Sequence, residues 1–305
     1  MIIFRHLTLG VNTVPSRENH MKKPVHVRVG NVTFGNDLPF VLIAGPDSLE
    51  SWERTDAIVS RIRASTEALG IPWVMKACFD KSQRTSVHNW RGMGDASLTA
   101  VQRLENALPL YRRFKEAYGM PVTADFSTVE EAALMSEDID LYQVQARLYR
   151  MTDILVAAGM YGRAVNIKRG HGESPHSLEG AIGKVASSGN RNIIVTERGS
   201  VFGHDGIIVD MRLLEEYKQY GYPVCLDVSH PCQKPSSEGG KSGGDRSGSP
   251  PLARAGVAVG VAAIFMEVYD EPGLAPVDGP HSMLLDDLHE HLAMLKDIDR
   301  IVKRY

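Results

Sequence analysis

The sequence is poor in the features that mark secreted, membrane-spanning and nucleic-acid-binding proteins. Its three cysteines, Cys78, Cys225 and Cys232, are too few for a disulfide framework and favour a reducing compartment, the cytoplasm. No apolar run is long enough to span a membrane, and residues 1–20 lack the apolar core and cleavage site of a signal peptide. The net charge of −3 is dispersed without a basic block, which argues against a nucleic-acid partner.

The length and the even spread of apolar residues predict one large domain. At 305 residues the chain can build a single large core, and no change in composition marks a boundary between two domains. We expect residues 1–20 to be a poorly ordered extension and residues 21–305 to form the domain.

Alternating residues at 25–29 and 32–34, joined by Gly30-Asn31, predict an N-terminal β-hairpin. After the hairpin, short apolar segments alternate with amphipathic ones. The predicted strands cover residues 40–44, 73–77, 122–125, 141–144, 164–168, 193–197, 224–228 and 264–267. The predicted helices cover residues 52–69, 97–118, 129–135, 153–160, 177–187, 211–220, 251–261 and 284–302.

Eight strands alternating with eight helices predict an α/β protein with a (β/α)8 TIM barrel; a doubly wound open sheet is the alternative. In such a barrel, functional residues lie at the carboxyl ends of the strands. Polar residues recur at or just after these strand ends: Asp47, Lys76, Asp125, Gln143, Gln145, Lys168, Arg169, Glu197, Arg198, Asp227, His230 and Glu267.

Cations among these positions predict an anionic substrate. Lys76, Lys81, Lys168 and Arg198 would converge at the barrel mouth, where they would repel one another unless anions lay between them. A substrate with a phosphate and a carboxylate satisfies that requirement. In the alternative interpretation, each lysine pairs with a nearby acid such as Asp80 or Glu197.

An acidic cluster with one imidazole predicts a divalent metal. Asp47, His230, Glu267 and Asp278 offer the oxygen and nitrogen donors that suit Mn²⁺, Fe²⁺ or Mg²⁺. The alternative is that His230 is structural or handles protons. Residues 234–249, rich in glycine and serine, predict a mobile lid over the barrel mouth or a disordered surface loop.

Several motifs resemble those of 3-deoxy-D-manno-octulosonate 8-phosphate (KDO8P) synthases, within the phosphoenolpyruvate-using aldol synthases that include the metal-dependent DAHP synthases. The resemblance covers about residues 25–304. The segments that carry it include Lys76-Ala77-Cys78-Phe79-Asp80-Lys81, Arg91-Gly92-Met93-Gly94, Val165-Asn166-Ile167-Lys168, Leu226-Asp227-Val228-Ser229-His230 and Asp278-Gly279-Pro280.

This resemblance implies a barrel enzyme, usually a homotetramer, that joins phosphoenolpyruvate to a phosphorylated aldose, typically arabinose 5-phosphate, without an organic cofactor. The residues implied to bind phosphoenolpyruvate are Lys76, Lys81, Gln143, Lys168 and Arg198. Those implied to bind the acceptor sugar are Gln83, Arg84, Thr85, Asp125, Gln145, Ala146 and Gln233. The implied metal ligands are His230, Glu267 and Asp278, with Asp47 at a fourth position where the family has cysteine or asparagine.

Departures from the family lie on the acceptor side. The segments 81–84, 123–127 and 143–147 differ from the family pattern, which predicts a changed aldehyde acceptor and a retained enol donor. In the predicted mechanism a metal orients the aldehyde or a water, Lys81 stabilises or protonates the developing alkoxide, and His230 and Asp227 handle protons.

Two other functions fit the same residues. A Schiff-base aldolase on this barrel would use Lys168 or Lys76 as its nucleophile. A relative without catalytic activity would bind an anionic metabolite and report it to a partner.

Overall fold

The computed structural model describes residues 24–84, 86–201, 206–238 and 241–305. The predicted extension over residues 1–20 and the predicted acceptor residue Thr85 therefore lie outside the described residues.

The described residues form short strands and eight α-helices, here given in chain order. The strands are β1 (Val27–Val29), β2 (Val32–Phe34), β3 (Val41–Gly45), β4 (Trp73–Lys76), β5 (Val122–Asp125), β6 (Leu141–Val144), β7 (Ala164–Lys168), β8 (Ile193–Glu197), β9 (Ser200–Val201), β10 (Ile207–Ile208), β11 (Val224–Asp227), β12 (Gln233–Glu238), β13 (Lys241–Gly244), β14 (Ala263–Tyr269) and β15 (Met283–Leu284). The helices are α1 (Trp52–Leu69), α2 (Ala100–Tyr118), α3 (Val129–Leu134), α4 (Thr152–Tyr161), α5 (Leu178–Ala186), α6 (Met211–Lys218), α7 (Ser249–Val259) and α8 (Leu288–Lys303).

Strands β3, β4, β5, β6, β7, β8, β11 and β14 form a closed parallel barrel, and every predicted barrel strand is confirmed. Strand β14 pairs with β3 on one side and with β11 on the other, which closes the sheet and rules out the open-sheet alternative. The barrel strands lack alternation because the helices cover the outer face and side chains fill the interior.

The predicted hairpin is confirmed and covers the amino-terminal end of the barrel. Strands β1 and β2 pair with Val27 opposite Phe34, and their apolar side chains pack with inward-facing residues such as Phe265. Asn31 Nδ2 also donates to the carbonyl of Gly119, which precedes β5. This end of the barrel is therefore closed, and the carboxyl ends of the strands are left for the site.

Local sequence explains how α1 connects the first two barrel strands. Ser51 caps the start of α1 by accepting from Arg54 N at 3.2 Å. The helix ends at Gly70, whose φ of +62° is a left-handed conformation that glycine adopts without strain. The chain then re-enters the sheet at β4.

Two of the differences from the prediction lie near the carboxyl end of the chain. Residues 234–249 were expected to be a long loop, but β12 and β13 form an antiparallel hairpin there and α7 begins at Ser249. Helix α8 begins at Leu288 and not at residue 284, because Met283 and Leu284 pair with β14 as strand β15. Among the described residues, no helix combines the length and apolar character that crossing a membrane requires.

Candidate active site

A cavity of about 180 Å³ opens at the carboxyl ends of the barrel strands. Strand ends from all around the barrel contribute to its wall, as the barrel geometry predicts. The predicted residues on that wall are Asp47, Lys76, Lys81, Gln83, Arg84, Asp125, Gln143, Gln145, Ala146, Lys168, Arg198, His230, Gln233, Glu267 and Asp278. The predicted proton-handling residue Asp227 is fully buried and contacts two of these side chains, Lys168 and His230.

Lys76 and Lys81 share one buried carboxylate. Lys76 Nζ lies 2.5 Å from Asp47 Oδ1 and 3.4 Å from Glu267 Oε1, and Lys81 Nζ also pairs with Asp47 Oδ1. Burial alone would lower the pKa of Lys76, but the carboxylates of Asp47 and Glu267 raise it well above its usual value. The pKa of Lys81 is likewise raised, against burial, by Asp47. Both lysines are therefore ammonium ions at neutral pH.

Lys168 and Arg198 have different surroundings. Lys168 Nζ lies 2.8 Å from Asp227 Oδ2 and 3.6 Å from the centre of the Phe265 ring, a cation–π contact at the top of the barrel core. Arg198 is 6 % exposed, and its Nε has no hydrogen-bond partner among the described residues. Burial lowers the pKa of this guanidinium, which remains charged at neutral pH. An anion in the cavity would satisfy it.

Each of the three lysines does pair with a buried acid, as the alternative interpretation holds, but the acids are not Asp80 or Glu197, because arginines occupy both. Arg91 makes two hydrogen bonds to Asp80, at 3.1 and 2.7 Å. Arg169 Nε and Nη2 donate to the two oxygens of Glu197 at 2.7 and 2.6 Å, with both side chains fully buried. The lysines instead pair with Asp47, Glu267 and Asp227, and they still face the cavity.

A chain of hydrogen bonds fixes the predicted residues on β5 and β6. Thr196 Oγ1 donates to Asn166 Oδ1 at 2.6 Å, and Asn166 Nδ2 donates to Gln143 Oε1 at 3.1 Å. Gln143 Nε2 in turn donates to Asp125 Oδ1. Burial opposes ionisation of Asp125, but Lys76, Lys81 and Lys168 lower its pKa. This series of hydrogen bonds therefore ends at the ionised carboxylate of Asp125, which lines the cavity.

Ser82 and Gln145 line the cavity, and both contact Ser127 of the third altered segment. Ser82 Oγ lies 2.6 Å from Ser127 Oγ, and Gln145 Nε2 donates to Ser127 Oγ at 3.2 Å. Gln83 and Arg84 are on the same wall and carry buried polar atoms without a hydrogen-bond partner in the described part of the chain. The departures at Ser82, Ser127 and Gln145 are thus joined by hydrogen bonds.

Three of the predicted metal ligands come together: ligand atoms of His230, Glu267 and Asp278 lie within 4.8 Å of one another. His230 Nδ1 lies 2.7 Å from Asp227 Oδ2, which turns Nε2 to a position 3.7 Å from Glu267 Oε1. Burial lowers the pKa of His230 to about 4, so the imidazole is neutral, as a metal ligand must be. Asp47 is not part of this group.

The residues present fit a divalent ion. Burial and the neighbouring Asp47 carboxylate raise the pKa of Glu267 well above its usual value. Its Oε2 is buried without a hydrogen-bond partner in the described part of the chain. A cation between His230, Glu267 and Asp278 would relieve this crowding of acids, and mixed imidazole and carboxylate donors suit Mn²⁺ or Fe²⁺.

Sequence reasoning missed several residues of the wall. Arg147, His171 and Asn89 line the cavity, and His281 lies fully buried beside Glu267 and Asp278. The strand-end rule could have found His171, because it lies three residues after Lys168 at the end of β7. Burial together with the repulsion of Arg198 and Arg147 lowers the pKa of His171 to about 4.

The closed barrel, the converging cations and the imidazole–carboxylate cluster define a class: (β/α)8-barrel enzymes that act on phosphorylated anions. Comparison with known proteins narrows this class. The sequence profile of the DAHP synthetase I family matches residues 14–304. A protein of Granulibacter bethesdensis named 2-dehydro-3-deoxyphosphooctonate aldolase is 42% identical over 277 residues, covering 91% of this chain and 95% of the relative.

Proteins of the same name from other bacteria are similar to a comparable degree. The one from Geotalea daltonii is 42% identical over 277 residues, covering 91% of this chain and 98% of the relative. The one from Fusobacterium nucleatum is 41% identical over 277 residues, covering 91% of this chain and 96% of the relative. The chain belongs to the DAHP synthetase I family, and the resemblance identified from its motifs is confirmed.

Proposed function

We propose that the protein condenses phosphoenolpyruvate with a phosphorylated aldose to give a 3-deoxy-2-ulosonic acid phosphate and inorganic phosphate. The reaction would be most like that of a KDO8P synthase, with arabinose 5-phosphate as the acceptor. The relatives named 2-dehydro-3-deoxyphosphooctonate aldolase and the family of the chain support this reaction. The observation that carries it is the convergence of Lys76, Lys81, Lys168 and Arg198 on one cavity.

The cations would hold the donor. Phosphoenolpyruvate has a phosphate and a carboxylate, and each gains from charge-assisted hydrogen bonds. Arg198 has an unsatisfied buried N–H and is our strongest candidate for a phosphate oxygen. Lys76 and Lys168 are held by Asp47 and Asp227, so they are positioned before the donor enters.

Carbon–carbon bond formation would follow at the acceptor. C3 of the enol attacks the aldehyde carbon, and the aldehyde oxygen becomes an alkoxide. Lys81, whose pKa is raised, stabilises this charge as a fixed ammonium ion. Asp125, Ser82 and Gln145, which line the cavity, hold the sugar hydroxyls.

Release of phosphate would complete the reaction. The attack leaves an oxocarbenium ion at C2, to which water adds, and one proton of that water passes through the site to the alkoxide. The resulting hemiketal phosphate expels inorganic phosphate, which takes the proton of the C2 hydroxyl, and C2 becomes a ketone. We assign the proton handling to the pair Asp227 and His230, whose side chains lie 2.7 Å apart. His230, Glu267 and Asp278 would hold a divalent ion, Mn²⁺ or Fe²⁺ before Mg²⁺, and such an ion polarises a carbonyl or a water.

A Schiff-base mechanism fits less well. The nucleophile of that mechanism is a neutral amine. The pKa of Lys76 is raised well above its usual value by Asp47 and Glu267, against the effect of burial. Lys168 is ion-paired with Asp227. Both candidate lysines are therefore better suited to bind phosphoenolpyruvate than to attack a carbonyl as neutral amines.

A different acceptor is the second candidate. The hydrogen-bonded residues Ser82, Ser127 and Gln145 replace the family pattern where the aldose is bound, and a site that hydrogen-bonds particular hydroxyls discriminates strongly among sugars. The same donor chemistry with another aldehyde would then be the activity.

We further propose a cytoplasmic homo-oligomer, a homotetramer by the resemblance. Free thiols at Cys78, Cys225 and Cys232 support a reducing compartment.

Phosphate release from phosphoenolpyruvate, measured with a panel of aldose phosphates in the presence of Mn²⁺, tests the reaction. Lys168→Met should abolish release, whereas Lys184→Met should not, because Lys184 Nζ donates to the exposed carbonyl of Arg150 at 2.8 Å and does not line the cavity. No release with any aldehyde would favour the metabolite-binding alternative. Trapping of a covalent adduct by borohydride would favour the Schiff-base aldolase.

A further inference from the structure

We propose that His281 is a ligand of the divalent ion and takes the place that the sequence assigned to Asp47. The ligand set becomes His230, Glu267, Asp278 and His281. This assignment rests on the metal site of the proposed function but not on the reaction, since metal binding is measured without substrates.

The geometry around Glu267 carries the proposal. His281 Nε2 lies 3.7 Å from Glu267 Oε2 and 3.8 Å from Asp278 Oδ1. His230 Nε2 lies 3.7 Å from the other oxygen of Glu267. These distances are too long for hydrogen bonds, but donors that share one ion at about 2.1 Å stand roughly 3 to 4 Å apart. Glu267 thus lies between two imidazoles, and His281 Nε2 is near two of the three residues whose ligand atoms lie within 4.8 Å of one another.

Both ring nitrogens of His281 are unsatisfied in the described part of the chain, as expected of a side chain that binds an ion. The side chain is fully buried, and neither ring nitrogen has a hydrogen-bond partner among the described residues. One side of the ring is against the backbone of Gly244, where an added Cβ would lie 3.0 Å from Nδ1. The Nε2 atom faces the two acids. A buried imidazole with unsatisfied nitrogens is costly, and an ion bound at Nε2 removes part of that cost.

The turn that carries His281 is rigid. Asp278 adopts a left-handed conformation with φ of +57°, which is uncommon for a non-glycine residue and typical of functional sites. Ser282 Oγ and His281 N both donate to the carbonyl of Asp278, at 2.9 and 3.4 Å. Gly279 is packed so closely on Pro272 that a Cβ would lie 2.0 Å from its carbonyl oxygen. Asp278 and His281 are therefore fixed relative to each other.

Asp47 has another task in this arrangement. Its Oδ1 pairs with both Lys76 and Lys81, and its carbonyl oxygen accepts from Lys76 Nζ at 2.6 Å. Its Oδ2 is buried without a hydrogen-bond partner among the described residues, but two ammonium groups on the same carboxylate oppose the approach of a divalent cation to it. Asp47 therefore neutralises Lys76 and Lys81, and His281 coordinates the divalent ion.

The new ligand set also bears on which metal binds. Two imidazole nitrogens and two carboxylates suit Fe²⁺ and Mn²⁺, whereas Mg²⁺ prefers oxygen donors and retains its waters. We therefore expect Mn²⁺ to bind more tightly than Mg²⁺.

Titration of metal-free protein with Mn²⁺, followed by electron paramagnetic resonance of the free ion, measures the affinity. Because loss of residues that merely orient ligands weakens metal binding about 10- to 100-fold, His281→Ala should weaken it roughly 100-fold or more. Asp47→Asn, which removes a neighbour of Glu267 and not a ligand, should weaken it by no more than about 10-fold, and the control His291→Ala, on the outer helix α8, should leave it unchanged. Far-ultraviolet circular dichroism checks that each variant folds.

X-ray absorption of the wild-type protein loaded with Co²⁺ counts imidazole ligands without depending on any variant. Two imidazoles support the assignment, and one imidazole overturns it. Unchanged Mn²⁺ affinity in His281→Ala, or a roughly 100-fold loss in Asp47→Asn alone, also overturns it. Failure of the wild-type protein to bind any divalent ion refutes both the metal site and the role of His281, and leaves the phosphoenolpyruvate chemistry to be judged by phosphate release.

Discussion

Lys76 Nζ and Asp47 Oδ1 lie 2.5 Å apart at the base of the cavity, and both side chains are almost completely buried. Lys81 pairs with the same oxygen, so one carboxylate restrains two cations. Removing one partner of a buried ion pair leaves an uncompensated charge, which costs more than the pair itself contributes. The two lysines are therefore positioned for an anionic ligand by Asp47.

Asp47→Asn should destabilise the protein. The loss of stability should be smaller when phosphoenolpyruvate is bound. We expect the free energy of unfolding to fall by about 3–5 kcal/mol, because Lys76 and Lys81 lose their shared counter-charge. Saturating phosphoenolpyruvate should narrow the difference from wild type, since its anionic groups replace that charge. Urea denaturation with and without the ligand measures both effects. An undiminished difference in its presence would argue that the donor binds elsewhere.

Two arginines at neighbouring strand ends should respond in opposite ways. Arg198→Met should weaken phosphoenolpyruvate binding about 10- to 100-fold with little change in stability, because Arg198 Nε has no hydrogen-bond partner in the described part of the chain. Arg169→Met should instead lower the free energy of unfolding by about 3–5 kcal/mol, because the buried Glu197 carboxylate loses its ion-pair partner. Calorimetric titration and denaturation separate the two outcomes. Equal effects on binding would contradict the assignment of Arg198.

Arg103 should position the segment that carries Gln83 and Arg84. This buried guanidinium donates to the carbonyls of Met93 and Ala96, at 2.8 and 3.2 Å, and its Nε lies 3.6 Å from Asp80 Oδ1. Arg103→Met should raise the KM for the aldose about 10-fold or more and change the KM for phosphoenolpyruvate less, because a small misplacement of binding groups is costly.

Arg112→Met is the matched control, since Arg112 lies on the same helix and pairs with Asp138 away from the cavity, at 2.6 Å. Hydrogen exchange should show faster opening of residues 86–96 in Arg103→Met only. Equal KM values for the aldose in both variants would remove Arg103 from this role.

His171 should make the protein sensitive to acid. Burial and the nearby arginines Arg198 and Arg147 lower its pKa to about 4 in the folded state, whereas an unfolded histidine titrates near about 6.5. Its contribution to stability is therefore complete above about pH 6.5 and is lost as the pH falls toward 4, because only the unfolded chain takes up the proton.

His171→Gln should lose less thermal stability than wild type between about pH 7 and pH 5. Melting temperatures of wild type, His171→Gln and the exposed control His176→Gln, measured at both pH values, test this difference. A drop in the melting temperature of His171→Gln as large as that of wild type would show that the imidazole is not held neutral.

Much of the fold could be predicted because buried strands leave a local signal. Residues 164–168 and 193–197 are apolar runs that end in charged residues, and both are strands with those bounds. The paired hairpin after β11 could not be read from its glycines and serines, since β12 and β13 depend on contacts with each other. Glycine-rich sequence alone favours a loop.

The site could be predicted in part for the same reason. Strand-end positions pointed to Lys76, Lys168 and Glu267, because chain order places them at one end of the barrel. Sequence could not show which acid pairs with which lysine, because such pairs join residues far apart in the chain. His281 was missed because nothing in Gly279–His281 distinguishes a ligand from a turn residue until Glu267 is seen beside it.

Mass spectrometry of the product formed from uniformly ¹³C-labelled phosphoenolpyruvate and mixed aldose phosphates tests the central claim most directly. We predict a product that retains all the labelled carbons in a new carbon–carbon bond to the sugar, with one equivalent of unlabelled inorganic phosphate released. Labelled phosphoenolpyruvate that remains unchanged with every aldose phosphate and divalent ion, or labelled pyruvate as the only product, would contradict the account.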